Sequence, residues 1–311
     1  MSSHPLSSYS HHSDVLHLAA TDQAPIALCL LTHVEGGTLR AKGAMMTVSE
    51  DAVWGYVSAG CVDGDIVFQA RQALADGKVR QLRYGAGSPF KDITLPCGGT
   101  IDILILPRVD PIIIQEASRR LEARQSVQLS ISLTPHGEAA VDITGDTNGV
   151  FTHEYPPKIK LRIAGRGEAA EQLLLQACLI GFDVHLQSPD TELLARHLAI
   201  PQTHLLNPQT VPAGLDDPYT AVVFLFHDHD WEEQLLRQAL NGPAFYIGAM
   251  GSARTHNVRC EGLQAMGVDG ADIARIHGPI GLIPAMRDAN LLAVSILAEV
   301  VQVAQTKGLS L

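Results

Sequence analysis

Two thiols sit in short glycine-dense segments, Ser58-Ala59-Gly60-Cys61-Val62-Asp63-Gly64 and Pro96-Cys97-Gly98-Gly99-Thr100. Glycine beside a cysteine removes bulk and admits positive φ, so backbone and sulfur can both come close to a ligand. A free cysteine in a turn also reads as a small buried hydrophobe. Two such turns in one stretch of chain point instead to a soft-ligand or sulfur-handling site. Two further groups carry chemistry. His227-Asp228-His229-Asp230 could bind a metal or move a proton; alternatively Asp230 caps a helix and the histidines pack or face solvent. In Gly248-Ala249-Met250-Gly251-Ser252-Ala253-Arg254 a hydroxyl and a guanidinium stand at a helix start, where Ser252 and Arg254 could meet a phosphate or carboxylate; the other reading is a tight structural turn.

Composition limits the function classes. At 311 residues two domains are expected, and 22 Lys and Arg against 33 Asp and Glu give a net charge of −11. With no basic run, nucleic acid and anionic membranes are not expected partners. Five widely spaced cysteines without C-x-x-C spacing indicate neither a disulfide framework nor a zinc site, and a reducing cytoplasm is the expected location. Residues 1–23 are polar and rich in Ser and His, and are read as a disordered tail rather than a signal or anchor. His11, His12 and His17 there form no defined metal site.

The elements that would position these groups fall into two halves. Pro25 to Thr32, Ala44 to Val48 and Val53 to Val57 read as strands, and Val62 to Leu74 has helical spacing, so Cys61 stands at a strand-to-helix junction. The positive end of that helix and its exposed amides would stabilise a thiolate and attract anions. A strand from Gln81 to Tyr84, the Cys97 turn, a strand from Ile101 to Leu106, a helix from Pro111 to Arg124, and strands at 127–133 and 139–143 complete an α+β domain over 24–150. The polar stretch Thr144 to Pro157 is read as the boundary.

The second half, 158–311, alternates strand and helix and reads as a Rossmann-like domain with a mainly parallel sheet, making the whole chain α/β. Gly165-Arg166-Gly167-Glu168-Ala169-Ala170 fits the G-x-G-x-x-A form of the dinucleotide fingerprint, which makes Gly165 and Gly167 candidate cofactor contacts. Glu168 places a negative charge where a pyrophosphate would lie. Ser188 ends the next strand where a ribose-binding acid is expected, with Asp190 only a displaced substitute. The fold is thus better supported than NAD(P) use. Trp231 to Leu240 reads as an amphipathic helix capped by Asp230, and the apolar helix Asn290 to Val303 as core.

In combination and order, several segments resemble the XdhC/CoxI family of accessory proteins, which mature molybdenum hydroxylases such as xanthine dehydrogenase. They are Glu35-Gly36-Gly37-Thr38 with Arg40 and Gly43, the Gly60-Cys61-Val62-Asp63 and Cys97-Gly98-Gly99 turns, Tyr246-Ile247-Gly248 with Gly251-Ser252, and Ile276 to Leu282. The resemblance implies a cysteine-bearing domain joined to a Rossmann-like one. It also implies that the molybdenum cofactor is bound as cargo, its sulfuration assisted, and the product handed to a hydroxylase apoenzyme, with a cysteine desulfurase as a further partner. Cys61, Cys97, Gly60, Gly98, Gly36, Arg40 and Gly43 are the expected contacts. A homodimer is expected where a partner subunit could close a cleft. Ala59, Asp63 and Leu39 are mild departures from the family pattern; Arg166, Glu168, Ser188 and Ile283 to Asp288 are larger ones. Two other functions stand beside this one: an NAD(P)-dependent oxidoreductase using Gly165 and Gly167, and a metal-dependent hydrolase using His227, Asp228 and His229.

Overall fold

The computed structural model describes residues 11–58, 60–88, 95, 98–134, 138–143, 149–209, 211–212, 216–226 and 229–309. The chain divides into two compact units, Met1–Pro157 and Lys158–Leu311.

In the first unit the described elements run α1 (His12–Thr21), β1 (Ala27–Glu35), β2 (Met45–Val48), β3 (Val53–Gly55), α2 (Asp63–Asp76), β4 (Arg80–Tyr84), β5 (Thr100–Pro107), α3 (Pro111–Glu122), β6 (Val127–Leu133), β7 (Ala139–Asp142) and β8 (Phe151–Tyr155). One sheet has the order β3-β2-β1-β5-β4 and a smaller one the order β7-β6-β8. The central strand β1 is apolar on both faces because both are covered. Ala27, Cys29 and Leu31 pack with Ile103, Ile105 and the α2 residues Ile66, Ala70 and Ala73. Leu28 and Leu30 face a core made by α1, α3 and the smaller sheet, including Val15, Ile114, Leu129 and Tyr155.

Two expectations are corrected here. Residues 12–21, read as disordered tail, form a helix that buries Val15, Leu16 and Ala19. The helix is short and its apolar residues follow a Ser- and His-rich stretch, which hid it from composition, and His11 accepts a hydrogen bond from the Ser13 amide at its start. The stretch read as a boundary contains β8, which pairs antiparallel with β6 and buries Phe151 and Tyr155.

In the second unit come β9 (Lys160–Gly165), α4 (Gly167–Leu179), β10 (Asp183–Ser188), α5 (Thr191–Arg196), β11 (Gln202–His204), β12 (Thr220–Leu225), α6 (His229–Leu240), β13 (Tyr246–Ala249), α7 (Ala253–Ala265), α8 (Gly270–Ile273), β14 (Ile276–His277) and α9 (Ala289–Thr306). The sheet order is β11-β10-β9-β12-β13-β14, and every pairing is parallel. Counted within the unit this is 3-2-1-4-5-6, the order of dinucleotide-binding sheets, with the switch point between β9 and β12. One face is covered by α4 and α9 through Leu173, Ala177, Ile296 and Val300, the other by α6 and α7 through Leu236, Ala239 and Leu263. α9 is long and apolar enough to cross a bilayer by length and composition. Here it buries Ala293, Ile296, Leu297, Val300 and Ala304 in the core, as expected for a core helix.

The central β9 carries Arg162, fully buried. Its guanidinium donates from Nε and Nη2 to the Asp216 carboxylate, each at 2.7 Å, and from Nη1 to Gln187 Oε1 at 2.8 Å. A buried cation persists because its partners match the planar fork.

Candidate functional site

Strand directions gather the first unit's loops. β1, β3 and β4 run one way and β2 and β5 the other. The segments after β1, after β3 and between β4 and β5 therefore leave the sheet at the same end. Gly36, Arg40, Gly60, Cys61 and Gly98 all lie on these segments. Cys97 falls outside the described residues, so its sulfur is not placed.

Cys61 is exposed, between β3 and α2. The loop that carries it is folded by one side chain: the Asp63 carboxylate accepts from the amides of Val57 at 3.0 Å, Ser58 at 2.9 Å and Gly60 at 2.5 Å. Ser58 Oγ accepts from the Val62 amide at 2.9 Å. The next acid, Asp65, accepts the buried Tyr84 hydroxyl at 2.5 Å, tying the first turn of α2 to the end of β4. Burial and the nearby carboxylate push the Tyr84 phenol up, so it stays a donor. The loop amides just before the helix thus hold an internal carboxylate, the Gly60 amide among them, while the first turn of α2 has no side-chain cap and the thiol remains accessible.

The neighbouring loop supplies a cation. Arg40 lies with its Cζ 4.7 Å from the Tyr56 ring centroid, a cation–π contact that joins the β1 loop to the Cys61 loop. Gly36 and Gly98 are exposed, while Gly99 is buried against the Glu35 and Gly37 carbonyls and the Thr38 side chain, where a Cβ would come within 3.0 to 3.1 Å of all three. Two loops can thus lie backbone to backbone at the same end as Cys61. Gly43 has a different role. It is buried, at φ +94, and a Cβ there would enter the His153 ring. Burial first, then the Lys42 charge, pushes the His153 imidazole down. Gly43 packs against the His153 ring.

At the switch point of the second unit, Gly165 ends β9 against the Leu225 backbone, leaving no room for a side chain, and Ala170 is fully buried. Gly167 and Arg166 are exposed at the start of α4. The dinucleotide loop is therefore present as backbone geometry. Its ribose acid is not. Ser188 is buried and accepts from the Asp190 amide, and Asp190 caps α5 by accepting from Glu192 and Leu193. Ser252 is likewise engaged: its Oγ caps α7 by accepting from the Thr255 amide at 3.1 Å, with Arg254 exposed beside it. Asp230, read as the cap of α6, lies inside its first turn. His227 and Asp228 fall outside the described residues, and nothing is described of the His229 side chain. Among the described residues no group of three or more His, Cys, Asp or Glu could hold a metal ion.

Comparison with known proteins agrees with this layout. The description "XdhC and CoxI family" matches residues 19–85, and "XdhC Rossmann domain" matches residues 161–300. The chain is 35% identical over 285 residues to a molybdenum cofactor insertion chaperone of Escherichia coli K12, PaoD, covering 89% of this chain and 82% of that protein. The chain belongs to the XdhC/CoxI family. A second relative from the same organism, the uncharacterized protein YqeB, is 22% identical, and the match covers 90% of this chain but only 43% of YqeB. A crystal structure described as a xanthine dehydrogenase from Bacillus halodurans superposes with a TM-score of 0.80 at 23% identity, over 95% of this chain and 96% of that one. That likeness concerns the fold. The first XdhC/CoxI match spans Gly36, Arg40, Gly43, Gly60 and Cys61 and stops short of Cys97.

Several residues of this XdhC/CoxI chain escaped sequence reasoning. Tyr56 and Tyr84 carried no motif. Glu299, inside the apolar α9, accepts from the Tyr246 hydroxyl at 2.7 Å and the Gly281 amide at 2.7 Å, and pairs with His277 Nδ1 at 3.1 Å. Burial acts to raise its carboxyl, but these hydrogen bonds outweigh it and the net direction is down. A lone acid in an apolar helix was the available signal. Its role is to hold the loop at 277–281.

Proposed function

We propose that this chain carries the molybdenum cofactor to an apoenzyme. The observation that carries the reading is its 35% identity, over most of both chains, to a molybdenum cofactor insertion chaperone. The first unit offers suitable chemistry. A molybdopterin brings a phosphate, a dithiolene and a metal with an affinity for sulfur. The exposed Cys61 supplies a soft contact, Arg40 a cation for the anionic group, and the Gly36 and Gly98 loops a close backbone approach. Cys97 is the second thiol in this reading. A carrier holds without turning over, and nothing in the reading requires a nucleophile, base and oxyanion donor to converge.

The finer parts belong to the same proposal: exchange of a terminal oxo for sulfido with a cysteine desulfurase as sulfur donor, a xanthine dehydrogenase-type hydroxylase as recipient, and a cytoplasmic setting. The test is reconstitution. A cofactor-free hydroxylase apoenzyme is incubated with molybdenum cofactor, with or without this chain. The reading expects activation to rise with the chain present, and to rise again when the desulfurase is added. Activation indifferent to the chain would remove it.

A further inference from the structure

The closing helix α9 is as apolar as a membrane span, yet only 33% of it is buried. Ala289–Thr306 holds no Lys, Arg or Asp, and its single acid, Glu299, is bonded to His277, Tyr246 and the Gly281 amide. A helix that is apolar all round is expected to be covered all round. The core accounts for one side, through Ala293, Ile296, Leu297, Val300 and Ala304. The other side carries Leu291, Val294, Ala298 and Val301, none of them in that core, with Leu291 56% and Val294 53% exposed. The neighbouring helices differ, since α4, α6 and α7 each expose charge, at Glu168, Glu233 and Arg254.

The spacing indicates what covers this face. Residues 291, 294, 298, 301 and 305 follow the alternating three-and-four step of a coiled-coil seam, which buries itself against another helix. An 18-residue helix is about 27 Å long. Exposed Leu179 on adjacent α4 and Ile283, in the loop bonded to Ser295, flank it. The patch is then about two helix diameters wide, on the order of 500 Å² per copy, so a pair reaches the ~1,000 Å² that a specific interface requires. Charge favours a second copy of this chain. Two chains at −11 repel wherever charged faces meet, and this seam has no charge to repel. An uncharged apolar seam is also complementary to itself, which two-fold pairing demands.

We propose that α9 pairs antiparallel with α9 of a second copy, on a two-fold axis at Ala298. Antiparallel alignment sets the positive N-terminal end of each helix against the negative C-terminal end of the other, whereas parallel alignment would join like ends together with Arg287 of each copy. Leu291 of one copy then meets Gln305 of the other, and the small Ala298 lets the two backbones approach at the crossing. This pairing is independent of the carrier reading.

The test is sedimentation equilibrium of the full chain at micromolar concentrations. Two copies per particle are expected, with a dissociation constant that high salt leaves unchanged because the seam carries no charge. Val294→Glu is expected to raise that constant at least about a hundredfold, since pairing would bury a carboxylate from each copy, while the circular dichroism of the folded chain is retained. Geometry is read separately by oxidation and peptide mass spectrometry: Ala298→Cys should link to its own copy through residue 298, and Leu291→Cys should not link to itself. A wild type that stays a single copy, a dimer indifferent to Val294→Glu, or a Leu291→Cys that self-links as readily as Ala298→Cys overturns the proposal. A single-copy chain that binds phosphatidylcholine vesicles would overturn it too, and assign the face to a membrane.

Discussion

Asp63→Ala tests how the Cys61 loop is built. The substitution removes the common acceptor of three loop amides, those of Val57, Ser58 and Gly60. A hydrogen bond to a charged group contributes about 1.5–3 kcal/mol net, less where water can substitute. Gly60 is exposed and regains water, but Val57 is 1% exposed and cannot. Taking the low end for Val57 and Ser58, the loop loses about 3 kcal/mol of local stability, a factor of about a hundred in opening. Amide hydrogen exchange over residues 53–62, with a peptide from β9 as internal control, reads this directly. Exchange at Val57 and Ser58 is expected to accelerate about a hundredfold while β9 is unchanged. Asp63→Asn, which keeps one acceptor oxygen, should fall between. Unaltered exchange in a folded Asp63→Ala protein would refute the claim that this carboxylate shapes the loop presenting Cys61.

Three other outcomes follow from the geometry. Arg162→Ala strands the Asp216 carboxylate, 7% exposed, and should cost about 3–5 kcal/mol in urea unfolding, most of it recovered by the paired change Arg162→Met with Asp216→Leu. Hydrogen bonds from Arg196 and then His197 hold the Glu171 carboxyl at about 2 against an ordinary 4.5, so its contribution is present above 4.5 and lost as pH falls towards 2. Wild type should lose stability relative to Glu171→Gln across that window, and parallel melting curves would contradict the assignment. Gly43→Ala drives a Cβ into His153 at a strained φ of +94 and should destabilise by about 2 kcal/mol or more, with His153→Ala recovering the steric part only.

What the sequence showed was what has short range. Apolar runs such as Ile101 to Leu106 marked strands buried on both faces, and Gly165 to Ala170 marked the strand-to-helix turn of a parallel sheet. The hidden parts depend on residues far apart or on side chains folding back. Asp63 reaches amides three to six positions before it, which no periodicity records. Tyr84 finds Asp65 across 19 residues and Tyr246 finds Glu299 across 53. β8 is a five-residue strand whose pairing partner β6 lies beyond an intervening strand, and its polar flanks read as a linker. Asp190 looked like a displaced ribose acid because a cap and a ligand contact use the same residue type; only geometry shows the carboxylate spent on two amides.

The central claim is that the first unit holds the cofactor through its thiols. Purified wild type, Cys61→Ala and Cys97→Ala are each incubated with molybdenum cofactor, freed of unbound material, and assayed for molybdopterin by oxidation to its fluorescent derivative. Retention by wild type and loss in either folded variant is the predicted result. Wild type that retains none, or variants that retain as much as wild type, would contradict a thiol-dependent carrier.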